Sequence, residues 1–582
     1  MKYNSLLLSA LGVALCATSQ AQINSKATEE KPFANYELAQ QFKEFNMGGK
    51  YSRISLSLIP NVIGKTDNFW YDFDTSKGRD YYLVKPAQRK QEPLFDNTIM
   101  AEQLSMKTHE TIDENNLRIL PENFPKDLSS FEFEYRDKRY KFNRYTKTIS
   151  EIKKKKDEDN EVMYSWMKYS PDKKYILYSK NYNLFVMGNK AEGMDTTEVQ
   201  LTFDGEKNFS YGNSNDEEGA SKNRKVSTTA RWCPDSRHVF IIRDDSRKLR
   251  DFWVINSLTK KPSLVTYKYE FPGDKDITQY ILNVIDVKNR TNKKPAIEKW
   301  QDQYVSFVHA TPDSKLLFFE RNKRTWDQTD LISVNTSTLE VKTIIHEEDK
   351  PYRDQHAKSV CILNNGKDIL FRSERTGWGH YYHYDGNGNL KNTITSGKWV
   401  AGNVIAIDTL KRTFYLYGYG KEKNVNPHYY TVYKAHIDHE GVTPIAVEDG
   451  QHNADFLKSK RYFVDTYSKI DQAPTILLKD AQGKTVVKLA KPDLSQAISK
   501  GWTAPENFSV KAADDRTDLY GVMYKPSNFD PNKKYPIISV VYPGPYYGFV
   551  PTTFALGEAY CSTMAQLGCI VIRVGPVSYT HL

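Results

Sequence analysis

The sequence predicts a mostly β fold: a β-propeller of seven or eight four-stranded blades, then the opening strands of an α/β domain. Three observations carry this. Aromatic residues make up 13% of the chain, with 39 Tyr, an excess that favours pleated, half-buried strands over helices. A strand–turn–strand unit recurs from Trp166 onward. Near Lys500 that grammar gives way to unbroken apolar runs separated by a helical stretch. At 582 residues the chain also exceeds what one core usually organises, so at least two domains are expected.

Taken in order, "MKYNSLLLSALGVALCATSQAQ" carries one Lys, an apolar stretch from Leu6 to Ala17, and the small residues Ser19 and Ala21. That is the layout of a secretory signal over residues 1–21, too short to span a membrane. It predicts an exported protein, periplasmic or secreted. No later apolar run approaches 18 residues, so no membrane span is expected in the mature chain. Four cysteines remain beyond the signal: Cys233, Cys361, Cys561 and Cys569. They show no C-x-x-C spacing, so no zinc site is expected, and buried thiols are favoured over a disulfide. Formal charge is +10, but 82 basic and 72 acidic residues are mixed throughout, and the run "KKKKDEDNE" from Lys153 cancels itself. Nucleic acid is not an expected partner, because no clustered basic stripe is present.

Segments such as "NFWYDFDTSKGRDYYLV" and "FEFEYRDKRYKFNRYTKTISEI" read as strands and turns that supply one or two blades before Trp166. The repeat then passes through "WMKYSPDKKYILYSK", "ARWCPDSRHVFIIRDD", "VSFVHATPDSKLLFFERNK", "SVCILNNGKDILFRS", "NVIAIDTLKRTFYLYGYG" and "ADFLKSKRYFVDTYS". Pro presets the turn's φ, and Asp caps the turn through its side chain. The turn residues Asp172, Asp235, Asp313, Gly366, Asp408 and Ser459 lie 63, 78, 53, 42 and 51 residues apart, which fits four-stranded blades carrying insertions. One such sheet cannot bury both faces alone, so stacking on its neighbours is the physical solution. The propeller is placed at 22–500.

From residue 501 to 575, two alternating strands lead into "PIISVVY", a helical stretch and "CIVIRV". Apolar runs of this kind suit strands covered on both faces, the start of an α/β domain.

The block "PENFSVKAADDRTDLYGVMYKPSNFDPNKKYPIISVVYPGP", after "W-x-P-D-S" turns and "RTGWGHYYHY", resembles the prolyl oligopeptidase family of serine peptidases, and within it the dipeptidyl peptidase IV branch with its exported bacterial relatives. The resemblance implies a propeller joined to an α/β-hydrolase domain, a peptide substrate, no cofactor, and release of N-terminal dipeptides after Pro or Ala. One departure is Asp515, where a Gly usually follows the Asp. In the family's Y-x-G-P turn the Tyr sits beside the nucleophile, which makes Tyr542 the expected oxyanion donor, with Gly544 and Pro545 shaping its turn. The branch also anchors the substrate ammonium on paired Glu residues. The matching cluster is "SNDEEGASK", with Asp216, Glu217 and Glu218, although a solvated loop reads it as well. Arg321 and Arg375 could each orient a carboxylate or carbonyl, with surface pairing the favoured reading for both.

The triad itself is missing. No G-x-S-x-G occurs in the sequence, and beyond Tyr542 there are only Ser562, Ser578, Glu558 and His581, with no Asp. The tail "GPVSYTHL" breaks the family pattern, so 576–582 is read as non-native and the chain as a C-terminally truncated, inactive fragment of a peptidase. The rival reading is a non-catalytic periplasmic propeller that binds peptides or glycans. A homodimer of the complete protein is left open, since many relatives dimerise through elements outside these residues.

Overall fold

The computed structural model describes residues 34–43, 54–153, 164–213, 222–354, 359–542, 549–557 and 560–575. The fold is mostly β. Among the described residues, eight antiparallel sheets follow one another along the chain, at 61–93, 130–152, 168–200, 231–293, 303–348, 360–393, 400–446 and 451–490. The second has three strands and the others four. The first two come from the segments before Trp166, as expected.

The six repeat turns fall in the first hairpins of the third to eighth sheets, at or beside the residues the spacing singles out. Their chemistry is local. Asp235 Oδ1 accepts from the backbone N–H of Arg237 at 3.0 Å and of His238 at 2.9 Å. Ser236, one residue on, is left-handed at φ 55°. Its hydroxyl accepts from the N–H of Asp172 in the preceding sheet, at 3.0 Å, and Ser314 Oγ does the same for Asp235, at 2.9 Å. The Pro-Asp-Ser turn thus closes its own hairpin and ties neighbouring sheets together.

Packing between sheets supplies the core. Shared apolar clusters join the first sheet to the second and the third through eighth each to the next. Phe318 and Leu331 of the fifth sheet, for example, pack on Ile369 and Phe371 of the sixth. The first sheet also packs on the eighth, with Phe69 and Tyr71 against Val464 and Ile476. Tyr71 Oη donates to the Leu489 carbonyl at 2.8 Å, closing a sequence separation of 418 residues.

After the helix Ser495–Ser499 comes a four-stranded mixed sheet. Its spatial order is Glu506–Lys511, Asp518–Tyr524, Ile570–Val574, Ile537–Ser539. The last two strands are parallel, and the crossover between them carries the helix Cys561–Ala565. A parallel pair needs such a crossover, and this unit is what α/β sheets are built from. One expectation fails here. "PIISVVY" is not covered on both faces: Ile537 and Val541 are largely exposed, because Ile537–Ser539 is the edge strand among the described residues. The departure at Asp515 has a backbone basis, since this residue sits at φ 56°, the left-handed region a Gly would occupy without strain.

The N-terminal helix Tyr36–Gln41 belongs spatially with this C-terminal sheet. The Asn35 N–H donates to the Gln566 carbonyl at 2.9 Å, and Phe42 packs with Trp502, Phe554 and Leu556. No periodic signal in the sequence announces that long-range contact.

Candidate functional site at the junction of the sheets

In a run of sheets with one strand order, the turns between second and third strands fall on a common face. On that face the seventh and eighth sheets meet the C-terminal sheet. The Phe554 N–H donates to Ser468 Oγ at 3.1 Å, and Ile470 enters a cluster with Val522, Tyr524 and Val571. Between them lies a cavity of about 500 Å³ lined by His428, Tyr429, Asp449 and Lys469 on one side and Phe508, Tyr520 and Pro551 on the other. The His428 ring meets Tyr520 edge-on at 5.1 Å. Burial pushes the His428 imidazole down to about 4, so it is neutral at physiological pH. Lys469 pairs with Asp449 at 3.0 Å. These groups can orient a polar ligand by hydrogen bonds and steer charge.

Tyr542 follows the edge strand and is 58% exposed, its ring lying against Phe549 at 5.9 Å and 28°. The Arg573 guanidinium stands 4.0 Å from the centre of the Phe549 ring. The phenol therefore lies beside a cation–π pair, just beyond the edge strand Ile537–Ser539. Gly544, Pro545 and the acidic trio Asp216, Glu217 and Glu218 lie outside the described residues, as do Glu558, Ser578 and His581. Ser562 is buried within the short helix Cys561–Ala565.

The stems of the acidic segment are described, and they are clamped. The Asn213 N–H donates to the Ser227 carbonyl at 2.9 Å, and the Asn223 N–H to Asn181 Oδ1 at 3.0 Å. Beneath them Arg243, fully buried, donates to Asp204 Oδ2 at 3.0 Å, Tyr211 Oη at 2.8 Å and the Phe209 carbonyl at 2.7 Å. Its guanidinium lies between the faces of Phe209 and Tyr211, 3.4 and 3.8 Å from their centres. Burial alone would raise the Asp204 carboxyl, but hydrogen bonds from Lys294, Tyr211 and Arg243 outweigh it and hold it at about 2. The signal in the sequence is one Arg in the apolar run "VFIIR".

Arg321 corrects the surface reading, whereas Arg375 keeps it. Arg321 is buried, with Nε donating to Asp330 Oδ2 at 2.8 Å and Nη1 to the Ile297 carbonyl at 3.0 Å. Arg375 is exposed at the surface, pairs with Glu347, donates to Tyr384 Oη at 2.5 Å and lies 4.2 Å from the Tyr382 ring centre. Arg321 turns inward because Asp330 on the paired strand offers its carboxylate there, a choice invisible in local composition. Around them Arg353 pairs with Glu320 at 3.2 Å and Arg372 with Glu374 at 2.9 Å. Asp349, only 6% exposed, has no hydrogen-bonding side-chain partner among the described residues. Burial first, then Glu347 and Glu374 against Arg353 and Arg375, push its carboxyl up to about 6.

Glu448, His452 and Asp465 come within 4.8 Å of one another, a grouping a metal ion could use. The positive charge among them is Lys479, 2.6 Å from Glu448 and 2.9 Å from Asp465. No disulfide joins Cys233, Cys361, Cys561 and Cys569; all but the partly buried Cys361 are buried, as the favoured reading expects.

Serial antiparallel sheets meet a mixed sheet, with a polar cavity at the joint. The chain belongs to the dipeptidyl peptidase IV (DPP IV) N-terminal region family, whose family model matches residues 126–474. Dipeptidyl peptidase 4 of Trichophyton rubrum is 25% identical over 231 residues, 38% of this chain and 29% of that protein. Human dipeptidyl peptidase 8 is 29% identical over 194 residues, 31% of this chain and 21% of that protein. The aligned part thus spans less than a third of either relative. Porphyromonas gingivalis dipeptidyl peptidase 4 superposes with a TM-score of 0.61 at 19% identity, over 94% of this chain and 74% of that one, which shows a shared fold.

Proposed function

We propose that the chain is the greater part of an exported serine-type dipeptidyl peptidase that releases N-terminal dipeptides after Pro or Ala. In this reading residues 22–500 form an eight-bladed propeller that filters peptides by size, and 501–575 open an α/β-hydrolase domain. The Tyr542 phenol donates a hydrogen bond to the oxyanion on the scissile carbonyl. The Ser-His-Asp triad comes from sequence beyond these residues, since the 582 residues hold no serine elbow. The single observation that carries the reading is the junction of a family-matched array of sheets, over 126–474, with a mixed sheet whose edge strand Ile537–Ser539 leads to Tyr542.

Two experiments test it. Genomic sequence past codon 575 should encode a G-x-S-x-G, then Asp and His. A stop codon there would leave the non-catalytic binding propeller. The complete enzyme should hydrolyse Gly-Pro or Ala-Pro p-nitroanilide, and Tyr542→Phe should slow kcat about 10²–10³-fold through loss of one oxyanion donor. An unchanged rate removes Tyr542 from the mechanism.

The reading extends to self-association. A hairpin, Asp251–Asn256 paired with Ser263–Lys268, projects from the fourth sheet and exposes Trp253 (59%), Ile255 (63%) and Leu264 (63%). A two-stranded ribbon apolar on its surface is an association site in water, and a second copy of the chain is the proposed partner.

A further inference from the structure

One register position carries a basic residue in three successive sheets. The repeat turns of the third, fourth and fifth sheets read "KYSPD", "RWCPD" and "HATPD". Lys168, Arg231 and His309 each stand four residues before the turn Asp, on the first strand of their sheet. Those strands are neighbours in space. The Trp232 indole N–H donates to the Lys168 carbonyl at 3.1 Å. The Arg231 guanidinium lies 5.3 Å from the centre of the Phe307 ring, two residues before His309. The links from Ser236 to Asp172 and from Ser314 to Asp235, described above, hold the three turns in step.

No acid offsets the charge of this arc. Arg231 is exposed, and among the described residues no carboxylate pairs with it or with Lys168. Lys168 is half-buried, and its ammonium donates to the neutral Thr228 carbonyl at 3.1 Å, which leaves it further N–H donors. Burial first, then the Arg231 charge, press that ammonium below the usual lysine range. Burial likewise lowers the half-buried His309 imidazole. Like charges held together and partly stripped of water are costly until an anion joins them. A guanidinium presents a planar pair of N–H donors that matches a carboxylate, and a neighbouring lysine adds a point charge.

We propose that Lys168, Arg231 and His309 form a subsite for the C-terminal carboxylate of a bound peptide. The proposal rests on the peptide-binding reading above and adds to it recognition of the peptide's far end. The carboxylate would sit on the Arg231 fork and accept further N–H bonds from Lys168 and His309.

The test is isothermal titration of the 582-residue chain, at low salt, with Ala-Pro-Gly-Gly, with its C-terminal amide and with inorganic phosphate. The free acid should bind about 10-fold tighter than the amide, the gain expected from charge-assisted hydrogen bonds. Arg231→Gln should reduce that preference about fivefold and leave the amide affinity unchanged, and Lys168→Met should act in the same direction. Lys174→Gln removes the same charge outside the arc and should behave as the parent, and circular dichroism melts check that each variant folds. Equal binding of acid and amide, or a preference unmoved by Arg231→Gln, overturns the subsite and leaves the peptide-binding reading standing. Phosphate binding that depends on Arg231, without any preference for the acid, overturns the peptide assignment in favour of an inorganic anion. No binding of either peptide overturns both readings.

Discussion

Replacing Asp349 by Asn should make the protein more stable at neutral pH and leave it unchanged near pH 4. The carboxyl is folded against Glu347 and Glu374 with Arg353 and Arg375 already paired elsewhere, and it titrates at about 6 instead of 3.8. A folded-state value above the unfolded one means that the native state holds the proton more tightly. Stability therefore falls as pH rises from about 4 to about 6, and the loss is complete above that window. A rise of about two on the pH scale, at ~1.4 kcal/mol for each, corresponds to ~3 kcal/mol as an upper bound. Residual solvent access brings the expectation to about 1–2 kcal/mol. The amide carries no charge, so the variant escapes this cost at pH 7.5 and gains nothing at pH 4. Urea denaturation of both proteins at the two pH values reads the difference between variants, which cancels the other titrating groups they share. A gain of the same size at both pH values, or none at either, would refute the assignment of an unpaired buried acid.

Two further perturbations follow from the same ion-pair logic and from the exposed ribbon. Lys479→Met should cost about 3–5 kcal/mol in urea, because Glu448 and Asp465 lose the ammonium they share and Asp465 is fully buried; a loss below 1 kcal/mol would show that His452 alone carries those charges. Trp253→Glu with Ile255→Glu should convert a dimer to a monomer in multi-angle light scattering without moving the urea midpoint, and an unchanged mass places self-association elsewhere.

What the sequence makes legible is local. Pro-Asp encodes its turn through φ preference and a side-chain cap, so Asp172, Asp235 and Asp313 find their hairpins without help from the rest of the chain. The alternation in "NFWYDFD" places strand Phe69–Thr75 for the same reason. What stays hidden depends on distant partners. Whether Arg321 faces solvent or Asp330 is set by how the next strand packs, and nothing around Arg243 in sequence names Asp204 as its mate. "PIISVVY" has the composition of a covered strand, but its place at the sheet edge is a property of order in space. Tyr542 is readable only through its motif, since an exposed Tyr after a strand has no distinctive pattern of its own.

The hydrogen bond from Tyr71 to Leu489 has a consequence for biosynthesis. A ribosome releases the first sheet hundreds of residues before its eighth neighbour exists, so Phe69 and Tyr71 emerge with one apolar flank bare. Until translation reaches that neighbour, the nascent chain must be shielded by a holdase or remain loosely collapsed. Late-arriving mutations around Val464 or Ile476 would then lower yield rather than the stability of molecules that do close.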